Sequence, residues 1–171
     1  RRGTKVKPLV LGGHQERGRR AGTENVPYIV GLGVACELAA KQMDDENSRV
    51  KATRDRLEAG NLESCPGARL NGDPESRLPN TTNISFDYIE GEAILLMLDD
   101  KGICASTGSA CASGSLEPSH VLRAMQVEGQ SVHGSIRFSL STYNDEEDVD
   151  AVLTELPKIV QRLRELSPFV S

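Results

Sequence analysis

SIRFSLSTYNDEEDVDAVLTELPKIVQRLREL, residues 135–166, changes its hydrophobic period partway along. Ile136, Phe138 and Leu140 alternate with Arg137, Ser139 and Ser141, the period of two that belongs to a half-buried strand. From Val149 the apolar residues Val152, Leu153, Leu156, Val160, Leu163 and Leu166 recur at three and four spacing, one face of a helix. Asn144 with Glu147 three residues on predicts a capping box that opens this helix. Pro157 inside it predicts a kink, at a local cost of about 3 kcal/mol.

Toward the N-terminus the same reasoning finds a second strand and more helix. In TTNISFDYI (81–89), Thr82, Ile84 and Phe86 alternate with Thr81, Asn83 and Ser85, and NGDPESRLPN before it has the composition of a loop. EGEAILLMLDDKG (90–102) predicts a short helix with acidic residues in its first turn and Gly102 as its C-terminal cap. ICAST (103–107) reads as a strand, and PSHVLRAM, opened by Pro118, as another short helix. Met43, Val50 and Leu57 lie seven apart in a charged stretch, a long helix with one apolar seam that Gly60 and the CPG at 65–67 should close. Ile29, Leu32, Val34, Cys36, Leu38 and Ala39 make an apolar helical segment too wide for one buried stripe, so this helix should be covered on most sides. PLVLGG (8–13) suits a short buried strand ending in a glycine turn, with no earlier strand for it to pair with. The order is long helix, strand, helix, strand, loop, strand, helix, which predicts an α+β fold with a mixed or antiparallel sheet packed against helices.

The composition agrees with an aliphatic core: 171 residues, 37% hydrophobic and 26% charged, with three Phe, three Tyr and no Trp. A single domain of this length needs no disulfide or metal to fold. Charge is uneven. Arg1, Arg2, Lys5, Lys7, Arg17, Arg19 and Arg20 face only Glu16 in the first 20 residues, although the net charge of the chain is −5. That basic end lacks aromatic residues for base stacking and the rest is acidic, which argues against nucleic acid and for a small anion or an acidic partner. No apolar run is long enough to cross a membrane. The four cysteines, 36, 65, 104 and 111, include no CxxC pair and do not form a disulfide framework, and His14, His120 and His133 are too scattered for a metal set. A reducing, cytoplasmic setting is expected.

Three residues could carry chemistry. Cys111 stands among Gly108, Ser109, Ala110, Ala112, Ser113 and Gly114, where nothing can fill a core and the glycines would let the segment swing. It is either a small thiol packed against a neighbour or an exposed nucleophile, a few per cent ionised at neutral pH. Thr23 stands at the expected start of a helix with three arginines just before it; it is either a plain cap or part of an anion site. Arg137, on the polar face of its strand, is either solvated or a two-pronged grip on a carboxylate.

GGHQERGRRAGTENVP (12–27), GICASTGSACASGSLEPSHVLRAM (102–125) and SIRFSLS (135–141), with the helix ending RLRELSP, resemble the C-terminal part of cysteine desulfurases of the NifS/IscS type. The resemblance spans nearly the whole chain. It implies the small C-terminal domain of a dimeric fold-type I pyridoxal phosphate enzyme of the class V aminotransferase family, carrying a mobile cysteine loop at 102–117. Residues 1–30 would then be a remnant of the large domain and 31–171 the small domain. It further implies that the enzyme converts L-cysteine to L-alanine and keeps the sulfur as a persulfide on Cys111. An iron-sulfur scaffold protein would accept that sulfur, with Cys111 a transient iron-sulfur ligand during transfer. Arg137 would hold the substrate carboxylate, and Thr23 would reach the cofactor phosphate of the other subunit.

The chain departs from the family in one respect. The family holds pyridoxal 5'-phosphate on a lysine in a Ser-x-His-Lys type stretch, and none of Lys5, Lys7, Lys41, Lys51, Lys101 or Lys158 lies in one. These residues alone are therefore expected to hold no covalent cofactor, to turn over no cysteine, and to expose apolar surface that favours self-association. Two other readings stay open on sequence: a non-catalytic sulfur-carrier or scaffold-binding module using Cys111, and a related fold-type I enzyme acting on selenocysteine or another amino acid.

Overall fold

The computed structural model describes residues 3–5, 7–107, 119–127 and 129–167, with only the backbone of Gln130. Cys111 and Pro118 lie outside the described residues. Two compact units follow one another along the chain, residues 1–42 and 43–171.

In the first unit a one-turn element, α1 (Gln15–Gly18), is followed by the 20-residue helix α2 (Val26–Asp45), which continues across the boundary. The expected strand at 8–13 is not formed. Leu9 is 96% exposed, and the recorded main-chain bond to this segment is the one Ala21 N donates to Val10 O at 3.2 Å. A strand needs a ladder partner, and among the described residues none is offered. The predicted helix start also moves: Asn25, not Thr23, holds the first turn, accepting from Tyr28 N through Oδ1 and from Ile29 N through its carbonyl. No residue of α2 is buried, and Tyr28, Ile29, Leu32 and Leu38 stand exposed, so the expected cover is absent among the described residues.

The second unit is α+β. A π-helical turn at Glu46–Val50 leads into α3 (Lys51–Ser64), followed by β1 (Ala68–Leu70), β2 (Thr81–Phe86), α4 (Gly91–Asp99), α5 (His120–Ala124), α6 (Gly129–His133), β3 (Ser135–Ser139) and α7 (Glu146–Leu166). The sheet is antiparallel throughout, in the order β1-β2-β3. Its apolar face, with Ile84, Phe86, Ile136 and Phe138, joins one core with Val50 and Leu57, Ile94 and Leu98 of α4, and Val149, Val152, Leu156, Ile159 and Val160 of α7.

Several expectations are corrected in detail. Gly60 does not end the long helix; α3 runs on to Ser64, and Gly60 lets α7 approach, since a Cβ built there would lie 2.6 Å from Leu153 Cδ2. Val50 and Leu57 of the apolar seam are buried, but Met43 is exposed. The cap of α7 is Asp145 with Asp148, one residue later than expected: Asp145 accepts from Glu147 N and Asp148 N, and the Asp148 side chain accepts from Asp145 N. Asn144 instead accepts from Ser141 N. Helix α7 passes through Pro157 without ending, which leaves Leu153 O without its helical donor. ICAST does not form a strand; it contributes a single antiparallel bridge, Ser106 with Arg137. Gly102 is the cap as expected, at φ 74°, with Ile103 N donating to Leu98 O and Gly102 N to Asp99 O.

A polar ridge of α3 is buried against β2. Arg54, 1% exposed, donates to Thr81 O at 3.1 Å and pairs with Asp55 at 2.8 Å. Glu58 receives both prongs of Arg77 at 2.6 and 2.7 Å and the Thr82 hydroxyl at 2.5 Å. Burial raises the cost of charge on Glu58, yet the hydrogen bonds from Arg77 and Thr82, with the charges of Arg77 and Arg54, outweigh it and hold the carboxyl below its ordinary value.

Candidate functional site

Strand alternation sorts β2 and β3 into an apolar face and a polar one, and Arg137 belongs to the polar one. Arg137 N donates to Ser106 O at 2.6 Å, and Ser106 N donates to Arg137 O at 3.2 Å. The backbone of Arg137 is thus fixed from the segment 103–107 on one side while β2 pairs with its strand on the other. Its Nε is buried and has no acceptor among the described residues. A buried cationic donor without a partner is costly, and an anionic ligand would satisfy it. Ser106 stands five residues before Cys111, so the segment leading to the candidate nucleophile starts beside the candidate anion grip.

The rest of the polar face is one hydrogen-bonded row. Asp87 accepts from Arg69 at 2.6 Å and from the Ser131 hydroxyl at 3.1 Å. Ser85, buried, donates to Ser131 O at 2.8 Å, and Asn71 Nδ2 donates to Ser85 Oγ at 2.7 Å and to Asn83 Oδ1 at 2.6 Å. Next to this row, Arg69, Asn71, Asp73, Met125, Gln126 and Ser131 line an open cavity of about 680 Å³. Sequence reasoning singled out none of these residues except through the alternation that put Asn83 and Ser85 on the polar side.

Thr23 is in the unit 1–42, exposed, with its carbonyl accepting from Arg20, which also donates to Gly22 O at 3.1 Å. Gly22 N donates to Gln15 Oε1 at 3.0 Å. Arg20 is thus engaged by main-chain oxygens, while Arg17 and Arg19 are exposed beside it.

Among the described cysteines, Cys36 and Cys104 are exposed and Cys65 is buried, and none is paired. Burial pushes the Cys65 thiol up, against smaller downward pulls from Ser64 and Arg164, so it is a poor nucleophile. Among the described residues no group of three or more His, Cys, Asp or Glu could hold a metal, and no helix is long and apolar enough to cross a membrane. Lys41, Lys51, Lys101 and Lys158 are ion-paired with Glu37, Asp55, Asp100 and Glu155, and Lys5 and Lys7 are exposed. These lysines do not fit a covalent site for pyridoxal phosphate.

Comparison with known proteins places this geometry in context. Residues 4–152 match the family model described as aminotransferase class-V. The chain is 63% identical over 169 residues to a cysteine desulfurase of Gluconacetobacter diazotrophicus, covering 99% of this chain and 42% of that protein. It is 61% identical over 171 residues to the cysteine desulfurase NifS of Azotobacter vinelandii, again covering 42% of the relative. A solved NifS-like protein superposes with a TM-score of 0.81 at 37% identity, covering 95% of this chain and 41% of that one. The chain therefore spans less than half the length of these relatives. Family-wide, the cofactor is pyridoxal 5'-phosphate. On the extent of the family match and the identity of its relatives, this chain belongs to the aminotransferase class-V family.

Proposed function

We propose that the chain is part of a cysteine desulfurase, a reading supported by relatives above 60% identity that carry this name. In this reading Cys111 is the nucleophile: its thiolate forms a sulfur–sulfur bond with the sulfur of L-cysteine as the carbon–sulfur bond breaks. The products are L-alanine and an enzyme persulfide, with no external oxidant consumed. Arg137 holds the substrate carboxylate, and Thr23 contributes to the cofactor phosphate site of the partner subunit in a homodimer. Residues 1–30 are read as belonging to the large cofactor-binding domain and 31–171 as the small C-terminal domain of a fold-type I enzyme. The sulfur on Cys111 passes to an iron-sulfur scaffold protein in the cytoplasm, with Cys111 as transient iron-sulfur ligand.

The observation that carries the reading is Arg137, whose backbone is anchored to Ser106 while its buried Nε has no acceptor among the described residues. Substituting Cys111→Ser in the full-length holoenzyme should abolish the persulfide, seen as loss of the added sulfur mass. Arg137→Ala should raise KM for L-cysteine by at least about tenfold. A Cys111→Ser protein that still carries sulfur on the chain, or an Arg137→Ala protein with unchanged KM, would remove the corresponding assignment.

A further inference from the structure

Residue Asn83 of β2 lies opposite Arg137 of β3. Arg137 turns its N–H and carbonyl to Ser106, and Asn83 turns its carbonyl to Asn71 N at 2.9 Å, so neither directs these groups at the other. This is a non-hydrogen-bonded pair of an antiparallel ladder, the kind in which facing side chains come nearest, with Cβ atoms about 4.5–5.5 Å apart.

The hydrogen-bond row decides which way the Asn83 amide is turned. The single proton of the Ser85 hydroxyl goes to Ser131 O, so Ser85 must accept from Asn71, and the Asn71 atom beside it is a nitrogen. That nitrogen is 2.6 Å from the Asn83 side chain, whose facing atom must be the oxygen. Asn71 follows β1, and Arg137 is on β3, so the oxygen of Asn83 is spent on the β1 side. Its Nδ2 donates to none of the described residues and is left for the β3 side. An amide N–H₂ and a guanidinium are both donors and cannot satisfy each other, whereas an acceptor placed between them would take a bond from each.

We infer that Asn83 Nδ2 is a second donor for the substrate carboxylate, beside Arg137, and that the pair selects ligands bearing a carboxylate next to the reacting centre. This rests on the reading of Arg137 given above. A planar carboxylate offers enough lone pairs for both donors at once, and the Asp87–Ser131–Ser85–Asn71 row holds the amide in the donating orientation.

Asn83→Asp tests this, because it keeps an oxygen for Asn71 and replaces the donor with a second oxygen, although it also sets a negative charge opposite Arg137, an effect that the uncharged Asn83→Ala leaves out. In the full-length holoenzyme it should raise KM for L-cysteine by about tenfold or more, and the calorimetric Kd of 3-mercaptopropionate by a similar factor. The Kd of cysteamine, which lacks the carboxylate, should stay within about twofold. Asn83→Ala should show the same selectivity with a smaller loss. Equal weakening of cysteamine and 3-mercaptopropionate, or no weakening of either, overturns the inference. Arg137→Ala separates the two layers: if it weakens 3-mercaptopropionate while Asn83→Asp does not, only the role of Asn83 falls. If Arg137→Ala leaves 3-mercaptopropionate unaffected, both roles fall.

Discussion

Gly134 and Phe86 approach backbone to backbone: Phe86 N donates to Gly134 O at 3.0 Å, and the Gly134 Cα leaves no space for a side chain beside the Phe86 carbonyl. A Cβ at 134 would also meet Ile89 O at 2.7 Å. Both obstacles are main chain and cannot swing aside. Gly134→Ala should therefore destabilise the fold by about 2–3 kcal/mol, read from the urea midpoint with the m-value unchanged. Because Gly134 leads directly into β3, the variant should also weaken ligand binding at Arg137.

Removing the charge at Glu58 should matter most at neutral pH. Its carboxyl is held below the ordinary value, so the charged form stabilises the fold above the unfolded glutamate pKa, and that contribution is lost as pH falls through the lower folded value. Glu58→Gln should cost about 3 kcal/mol at pH 7, leaving Arg77 without the carboxylate it pairs with. The gap between variant and parent should narrow once pH drops below about 4. Urea unfolding of both proteins at neutral and acid pH checks the sign.

At the start of α7, Asp145→Ala removes the acceptor for two main-chain N–H groups and should cost about 1 kcal/mol. Asp145→Asn keeps an acceptor oxygen and should cost less. A thermal melt of the two variants against the parent orders them.

Thiol chemistry should discriminate Cys104 from Cys65. Cys104 is exposed, while Cys65 is buried and its thiol is pushed up by that burial. Labelling of the native protein with a thiol-exchange reagent, located by peptide mass, should modify Cys104 in the folded state and reach Cys65 only on unfolding.

The strands with the clearest alternation, β2 and β3, could be read from sequence because each has one face on the core, and burial imposes period two. The same logic missed that Ser85 and Ser135 are buried as well, since the cover on the polar side comes from residues 131–134, distant from Ser85 in sequence. Strand β1 is three residues long, too short for any period to show, and is defined only by its ladder to β2. PLVL at 8–11 shows the opposite error: composition suited a strand, but pairing decides, and among the described residues Val10 O accepts from Ala21 N and from no neighbouring strand. Of the site, Arg137 was legible as a polar residue on a strand, whereas the bridge to Ser106 and the Asn71–Asn83 bond are tertiary events with no local signature.

Odd-numbered residues of the central strands, Asn83 and Arg137 among them, stand on the hydrogen-bonding face, while the even-numbered Ile84, Phe86, Ile136 and Phe138 make the core. The sheet thus separates two kinds of selection by parity. Over most of their length, a substitution at an odd position leaves the core layer untouched, and a substitution within that layer leaves the hydrogen-bonding face untouched. Near residue 134 this freedom ends, because there both faces are covered and the backbone itself is the contact.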